Sequence, residues 1–424
     1  MWEKSHLTKD CKILFAKQIL IFILPLLFCY SEGYPQNDNN TSPISKVLIE
    51  NGYENLKIII SDGELLLAFE NRVHRFEIYS MMNLIELIEP FFDNLKNLVL
   101  IPLNRKIPIS KITIPVKTYR DFQVDPSQKE IFINSIVIEE NTDEVMKNFS
   151  GVQPENSSSY KLDMILKPST QFEFGIYSQP VRYQLNINSD FRVNLWKGMN
   201  LDYEVIFPVH NDFYEREDSV RPGIITLNQT VRLPKSFYIS STIGFFTHNR
   251  FGFDLEALKS FNNGNINVGI NLGYTALGYF SGFKMLYNDN FTFTGNVYFN
   301  YRVESLDLTL GIMAGKFLFD DKTIRFDISR EFGEIEIGFF ALRSSEGISN
   351  GGVNITVPLW PGNYWNPGIF RVRPAENFGI SYLVNTNTDK LIGSRYNTGN
   401  RLNNFNKKIN SSFVKNYLIK RFYN

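Results

Sequence analysis

From about residue 161 onward, apolar and polar residues alternate with a period of two. Ile266, Val268, Ile270, Leu272 and Tyr274 share one face of a segment whose other face is Asn267, Gly269, Asn271 and Gly273. Phe291, Phe293, Val297, Phe299 and Tyr301 likewise stand against Thr292, Thr294, Asn296 and Asn300. The same design recurs in Leu306–Ile312, Ile324–Ser329 and Glu334–Phe339, and earlier in Tyr183–Ile187, Phe191–Leu195, Leu201–Phe207 and Phe251–Leu255. Successive side chains of a strand point to opposite sides, so each segment predicts a strand with one greasy and one polar face.

Two architectures accommodate such strands. A soluble sandwich turns the greasy faces inward to a core, whereas a membrane barrel turns them outward to lipid and fills its lumen with polar groups. The best runs match the roughly 9–11 residues that a tilted strand needs to cross the hydrocarbon layer. The polar face is made of Asn, Gly and Thr, which suits a crowded, wet lumen. The expected fold is therefore all-β dominated: an antiparallel outer-membrane β-barrel of about 12–16 strands over residues 161–385.

Upstream, the period is mixed. Leu56–Ile60 and Leu65–Phe69 flank Asp62-Gly63, a hairpin signal, and Val73–Tyr79 reads as a third strand. Met81–Leu95 has helical spacing that Pro90 should end. Leu98–Ile101, Ile109–Ile114 and Ile131–Ile138 return to strand character, giving a small periplasmic α+β domain over 51–145. Polar, turn-rich stretches predict linkers at 34–50 and 146–160. Residues 386–424 are basic and Asn-rich, expected as a solvated tail or, through Phe413–Phe422, a closing strand.

The N-terminus reads as an address. Lys4, Lys9, Lys12 and Lys17 precede an apolar run, Ile19–Phe28, too short to span a bilayer but suited to a signal peptide, with cleavage expected after Gly33. A lipidated Cys29 is the alternative, although Phe28 stands where such sites carry a small residue. The chain holds 2 Cys, Cys11 and Cys29, so a processed chain would have no disulfide, thiol chemistry or Cys-ligated zinc. Its 44 basic and 44 acidic residues balance, which gives nucleic acid no electrostatic footprint. These features place the protein in the outer membrane, with lipid as its first partner.

Three stretches carry a family resemblance. Phe326-Asp327-Ile328-Ser329-Arg330-Glu331-Phe332-Gly333-Glu334-Ile335-Glu336-Ile337-Gly338-Phe339-Phe340 is one. A second runs from Gly351-Gly352 through Val353–Val357 to Pro358-Leu359-Trp360-Pro361, with Arg371-Val372-Arg373 after it. The third runs from Leu56 to Arg75 and ends in Glu70-Asn71-Arg72-Val73-His74-Arg75. Together they resemble the YjbH family of outer-membrane proteins associated with exopolysaccharide and group 4 capsule export. The resemblance implies export machinery with polysaccharide and periplasmic export partners, no cofactor and no catalytic residues.

Candidate chemistry is sparse. Trp360, Tyr364 and Trp365, with Arg371 and Arg373 nearby, could stack on sugar rings and hold their carboxylates, or simply form an interfacial aromatic girdle. Arg325, Asp327, Arg330, Glu334 and Glu336 are expected in the lumen, bracing the wall or guiding polysaccharide. Ser240, Ser241, His248 and Asn249 are the residues from which an outer-membrane lipid hydrolase would be built, but no Gly-x-Ser-x-Gly elbow accompanies them. His74 and His210 read as solvated positions, and no metal cluster or phosphate loop is present in the sequence. The expected function is a non-enzymatic component of exopolysaccharide or capsule export or assembly. A general porin is the alternative and a hydrolase the third.

Overall fold

The computed structural model describes residues 42–176, 179–365, 368–384, 391–405, 407 and 409–423; the expected signal peptide lies outside them. The chain is mostly β, in two sheets. The first is built from β1 (Tyr53–Ser61), β2 (Glu64–Asn71), β3 (Asn97–Asn104), β4 (Ile107–Pro108), β5 (Lys111–Pro115) and β6 (Val137–Glu139). Its central strands are apolar on both faces because both are covered. Leu65, Leu67 and Phe69 face helix α2 (Glu77–Ile88), whereas Leu66 and Ala68 pack with Val145 and Phe149. β2 and β3 pair in parallel, as doubly covered strands commonly do.

Local readings of this region needed correction. The expected strand Val73–Tyr79 gives way to helix from Glu77, and α2 runs out into a 3-10 turn at Pro90. Within the expected strand Ile131–Ile138, Lys129–Ser135 is helical and buries Phe132 and Ile133. A short apolar run cannot by its period choose between buried strand and buried helix. The expected linker 34–50 contains helix α1 (Pro43–Glu50), started by Ser42 as N-cap and anchored by Ile44 and Leu48. Within 146–160, Asn156 donates to Tyr53 O (2.7 Å) and buried Ser158 accepts from Asn55 (2.8 Å), so that stretch is bound rather than loose.

The second sheet has 15 strands. They begin with β7 (Leu162–Ile176), β8 (Gln179–Asn194), β9 (Met199–Asn211), β10 (Arg221–Leu233) and β11 (Phe237–Phe246). The middle of the sheet is β12 (Arg250–Phe261), β13 (Ile266–Ser281), the short β14 (Lys284–Tyr287), β15 (Thr292–Val303) and β16 (Leu308–Lys316). It ends with β17 (Lys322–Phe332), β18 (Ile335–Ser344), β19 (Ser349–Pro358), β20 (Phe370–Pro374) and β21 (Asn377–Val384). Apart from β14, which pairs only with β13, neighbours along the sheet pair antiparallel, with two features at the ends. β20 pairs in parallel with β7, from Phe370 opposite Leu162 to Pro374 opposite Leu166. The chain continues as β21, antiparallel to β19. At the junction the Ala375 N–H donates to Leu166 O at 2.8 Å.

The faces of this sheet are sorted in reverse of a soluble core. Ile243, Phe253, Tyr274 and Phe293 lie opposite one another across four strands, and all are exposed. Between them on the strands, Thr242, Asp254, Glu256, Asn271 and Thr294 are buried. Among the described residues no helix is long and apolar enough to cross a membrane.

The stretch after β21 is neither a solvated tail nor a closing strand. It returns through the polar side of the sheet, the side on which Asp254 and Glu256 are buried. Near the strand ends remote from the small domain, the Gly393 N–H donates to Asp321 (2.7 Å) and the Asn397 N–H to Thr247 (2.7 Å). At the opposite ends, Ser411 donates to Asn263 O (2.7 Å) and Tyr417 to Gly333 O (3.1 Å). It closes as helix Ser411–Tyr423, whose Phe413, Val414 and Leu418 join the core of the small domain. The Asn side chains that read as solvation instead satisfy buried polar groups.

The small sheet also docks on the β10–β11 turn. Arg232 pairs with Asp143 (2.7 Å) and donates to Glu140 O (3.2 Å). Burial pushes the Glu140 carboxyl up to about 7, with Arg232 and Lys259 only partly opposing it. A carboxyl raised in the folded state adds stability that is complete below its unfolded value and is lost as pH rises toward 7. Glu140→Gln is therefore expected to stabilise the protein at pH 8 by up to roughly 3 kcal/mol and to leave it unchanged at pH 4. Unfolding midpoints at the two pH values check this; equal shifts at both would reject it.

Candidate functional site

The β3–β4 hairpin enters the polar side of the large sheet. Its turn residues Arg105 and Lys106 both have positive φ (50° and 63°), the geometry of a tight two-residue hairpin turn. Their N–H groups donate to the buried carboxylate of Glu70 (3.3 and 3.2 Å), which also accepts from Asn55 at 2.5 Å. Burial raises the Glu70 carboxyl, opposed by Arg72. So fixed, the hairpin extends Arg105 to donate to Asn228 (2.9 Å) and Asn400 (2.9 Å). Burial lowers the Arg105 guanidinium to about 10.

Beside this tip lies a cavity of about 510 Å³ between the small domain, the near ends of β7 and β17–β20, and the returning C-terminal segment. Its lining is rich in paired charges. Asp163 accepts from Arg72 (2.6 Å) on one side and from Arg371 (3.0 and 2.5 Å) on the other. Arg371 also donates to the Arg72 carbonyl, and Arg72 lies 3.5 Å from Glu54. Burial opposes charge on Arg72, but Asp163 and Glu54 outweigh it and hold the guanidinium above its usual range. Arg75 grips Glu334 with two bonds (2.7 and 2.8 Å), and Lys407 meets Glu336 at 2.6 Å.

Of the residues singled out from sequence, Arg371, Arg373, Glu334 and Glu336 line this cavity, with the Tyr364 ring packed beside the two arginines. Arg373 lines the cavity with its guanidinium 5.2 Å from the centre of the buried Tyr364 ring. Trp360 and Trp365 are not part of the cavity. They stand 87% and 85% exposed on the β19–β20 connection. Arg325 and Asp327 pair with each other (2.6 Å) on the polar face, outside this cavity.

Arg330 is a correction. It shares the parity of Ile324, Phe326 and Ile328, so it points outward, stacked on exposed Phe332 (5.0 Å) near a strand end. The inward residue at that level is Glu331, paired with Arg302 at 2.7 Å. The hydrolase residues are not assembled either. The Ser240 hydroxyl accepts from Asn228 (2.8 Å), while His248 sits in a turn beside the Thr247 hydroxyl (3.3 Å). His74 meets Asn363 (3.0 Å) and His210 meets Asp212 (3.1 Å).

Sequence reasoning missed Arg72, Arg75, Arg105, Asp163, Arg192 and Lys407 as cavity residues. The signal for two of them was present, since Arg72 and Arg75 crowd into a segment otherwise reading as an apolar strand. For Asp163 and Lys407 nothing local distinguishes the residue; only the fold brings them in.

Comparison with known proteins gives a family and remote structural likeness. No curated protein matches. Among solved structures, OmpT (in-vitro folded), an outer membrane protein of Vibrio cholerae, is 10% identical and matches 46% of this chain and 79% of its own. Its TM-score of 0.23 is too low to assign a common fold. The YjbH family model, described as exopolysaccharide biosynthesis protein YbjH, matches residues 29–222 and 210–360. These spans contain the whole of the first and third stretches that resembled the family, together with Asp163, Glu334 and the Arg105 hairpin, and so the chain belongs to the YjbH family.

Proposed function

We propose that the protein is a non-enzymatic outer-membrane component of exopolysaccharide or capsule polysaccharide export or assembly, with its small domain in the periplasm. The observation that carries this reading is the reversed sorting of the large sheet, apolar side chains exposed and charges buried, in a chain whose family is tied to exopolysaccharide. Exposed apolar area on this scale needs a lipid or protein cover.

In this reading the sheet is a closed barrel. Counting β20 and β21 as one strand and leaving aside β14, thirteen strands form the wall. A meander with an odd number of strands brings its first and last strands together in parallel, which is how β20 meets β7. The Phe174–Tyr382 ring contact at 5.6 Å lies across the same seam. Closure also meets the demand that no backbone edge face hydrocarbon. The turns on the small-domain side are short, as at Gly333-Glu334, and periplasmic turns of such barrels are short as a rule.

The charged cavity then lies at the periplasmic mouth, where Arg371 and Arg373, backed by the Tyr364 ring, offer guanidinium donors to saccharide, and the small domain meets periplasmic export partners. The returning C-terminal segment runs through the interior, which speaks for a guarded path rather than an open porin. Deleting the gene is expected to abolish surface polysaccharide while solute uptake stays unchanged. Intact polysaccharide with impaired uptake would overturn this reading in favour of a porin.

A further inference from the structure

We infer that the interior groove formed by Asp202, Thr226, Asp254 and Glu256 is a binding path for a neutral, hydroxyl-rich saccharide, occupied here by the chain's own residues 396–403. That segment is a displaceable strap. The inference rests on the export reading and adds to it the ligand class and the device that guards the path.

The way the strap is held carries the inference. Between residues 391 and 405 the described chain joins no strand, so it is not part of the wall. What the wall contributes is side chains. Tyr396 donates its hydroxyl to Asp254 (2.6 Å), Asn400 donates to Asp202 (2.9 Å) and Thr226 (3.3 Å), and Arg401 donates to Asp254 (2.9 Å). The Leu402 N–H reaches Glu256 (2.9 Å), and Asn300 donates to Asn403 (3.3 Å). Carboxylates and a hydroxyl that accept from amide, phenol and guanidinium donors can accept from sugar hydroxyls, and an amide that donates to the strap can donate to them. The strap thus takes the place of a polyol.

Its position explains what displacement would do. Asn404, Phe405 and Lys407 form one side of the charged cavity, and Arg105 touches both cavity and strap. Moving residues 391–405 aside would join the cavity to the groove in one polar path along the strands. Both flanks stay anchored, by β21 before the strap and by the helix Ser411–Tyr423 in the small-domain core after it. Leu402 and Phe405, buried in that same core, hold the strap down at rest. With Arg401 withdrawn, the groove presents Asp254 and Glu256, which favour hydroxyl donors and repel polyuronates, while Asp202 stays paired with Arg192 (2.6 Å).

The protein's scarcity of Cys makes a test direct. Thr226→Cys with Asn400→Cys, in full-length protein with Cys11 and Cys29 changed to Ser, would tie the strap to the wall. With a neutral glucan oligosaccharide as probe, the reduced protein is expected to bind at least tenfold more tightly than the oxidised one. Arg401→Ala, which frees the strap without a crosslink, should bind at least tenfold more tightly than the parent, because affinity scales with the fraction in the competent state. Heat-modifiable gel mobility confirms that each variant is folded. Equal affinity of the oxidised and reduced forms, or of Arg401→Ala and the parent, overturns the inference even where gene deletion abolishes surface polysaccharide. Loss of the deletion phenotype would instead fail the export reading and leave the strap result to stand by itself.

Discussion

Asp163→Ala is expected to destabilise the protein by about 3–5 kcal/mol, the cost of removing one partner from a buried ionic cluster. The Asp163 carboxylate sits between Arg72 and Arg371, and the side chains are 9%, 6% and 5% exposed respectively. Removing it leaves two guanidinium groups facing each other out of water, offset by Glu54, 3.5 Å from Arg72, and by the more distant Glu70. The three residues come from β7, β20 and the small domain, so the damage falls on the seam where the ends of the large sheet meet and where the small domain attaches. Gel mobility measured against temperature should show the folded form melting earlier. Asp93→Ala is the control, because its pair with Arg120 is 87% and 48% exposed and worth at most about 1 kcal/mol. Equal losses in the two variants would reject a structural role for the cluster.

How much of this was legible in sequence depends on the range of the interaction involved. A period of two is a local property, and it disclosed the strands of the large sheet and which residues share a face. Phe326 and Arg325 lie on opposite faces, as their spacing requires. The misplacement of Arg330 came from weighing its charge above its parity. The small domain was legible as α+β but not strand by strand, since Ile131–Ile133 and Val73–Tyr79 are short apolar runs settled by what packs on them. The C-terminal segment was least legible. A run of Asn, Lys and Arg looks solvated because water satisfies such groups at no cost, and only the wall residues Asp202, Asp254 and Glu256, more than a hundred positions away, supply an alternative. The cavity was half visible. Arg371 and Arg373 were found because aromatic and cationic residues cluster in sequence there, whereas Asp163, the carboxylate that holds Arg371, is 208 residues from it.

Family membership and geometry bear on different parts of the function. The family model reaches residue 360, short of Arg371, Arg373 and the whole returning segment. The export reading therefore draws on the matched wall and small domain, while the strap belongs to a part of the chain the family model does not span. A strap of this kind also accounts for an interior that is both strongly polar and filled. Wall carboxylates left without ligand would need water or cations, and the chain supplies its own donors instead.

Val297→Arg is the substitution that separates a wall facing lipid from one facing water. Val297 lies mid-strand on the outer face, opposite Ile270 and Ala314, and is 54% exposed. In a soluble β-protein a surface change of this kind usually stays within about 0.5 kcal/mol. At the midplane of a bilayer the same change costs about 2–4 kcal/mol, because the guanidinium must be held in hydrocarbon or drag water to itself. Leu306→Arg supplies the depth control. It is similarly exposed but lies in the β15–β16 turn on the small-domain side, where the expected cost is about 0–1 kcal/mol. Equilibrium unfolding in lipid vesicles should therefore show a large loss for Val297→Arg and a small one for Leu306→Arg. A result within error of the parent at Val297 would mean that the exposed apolar rows meet something other than acyl chains, and the membrane reading would fall with them.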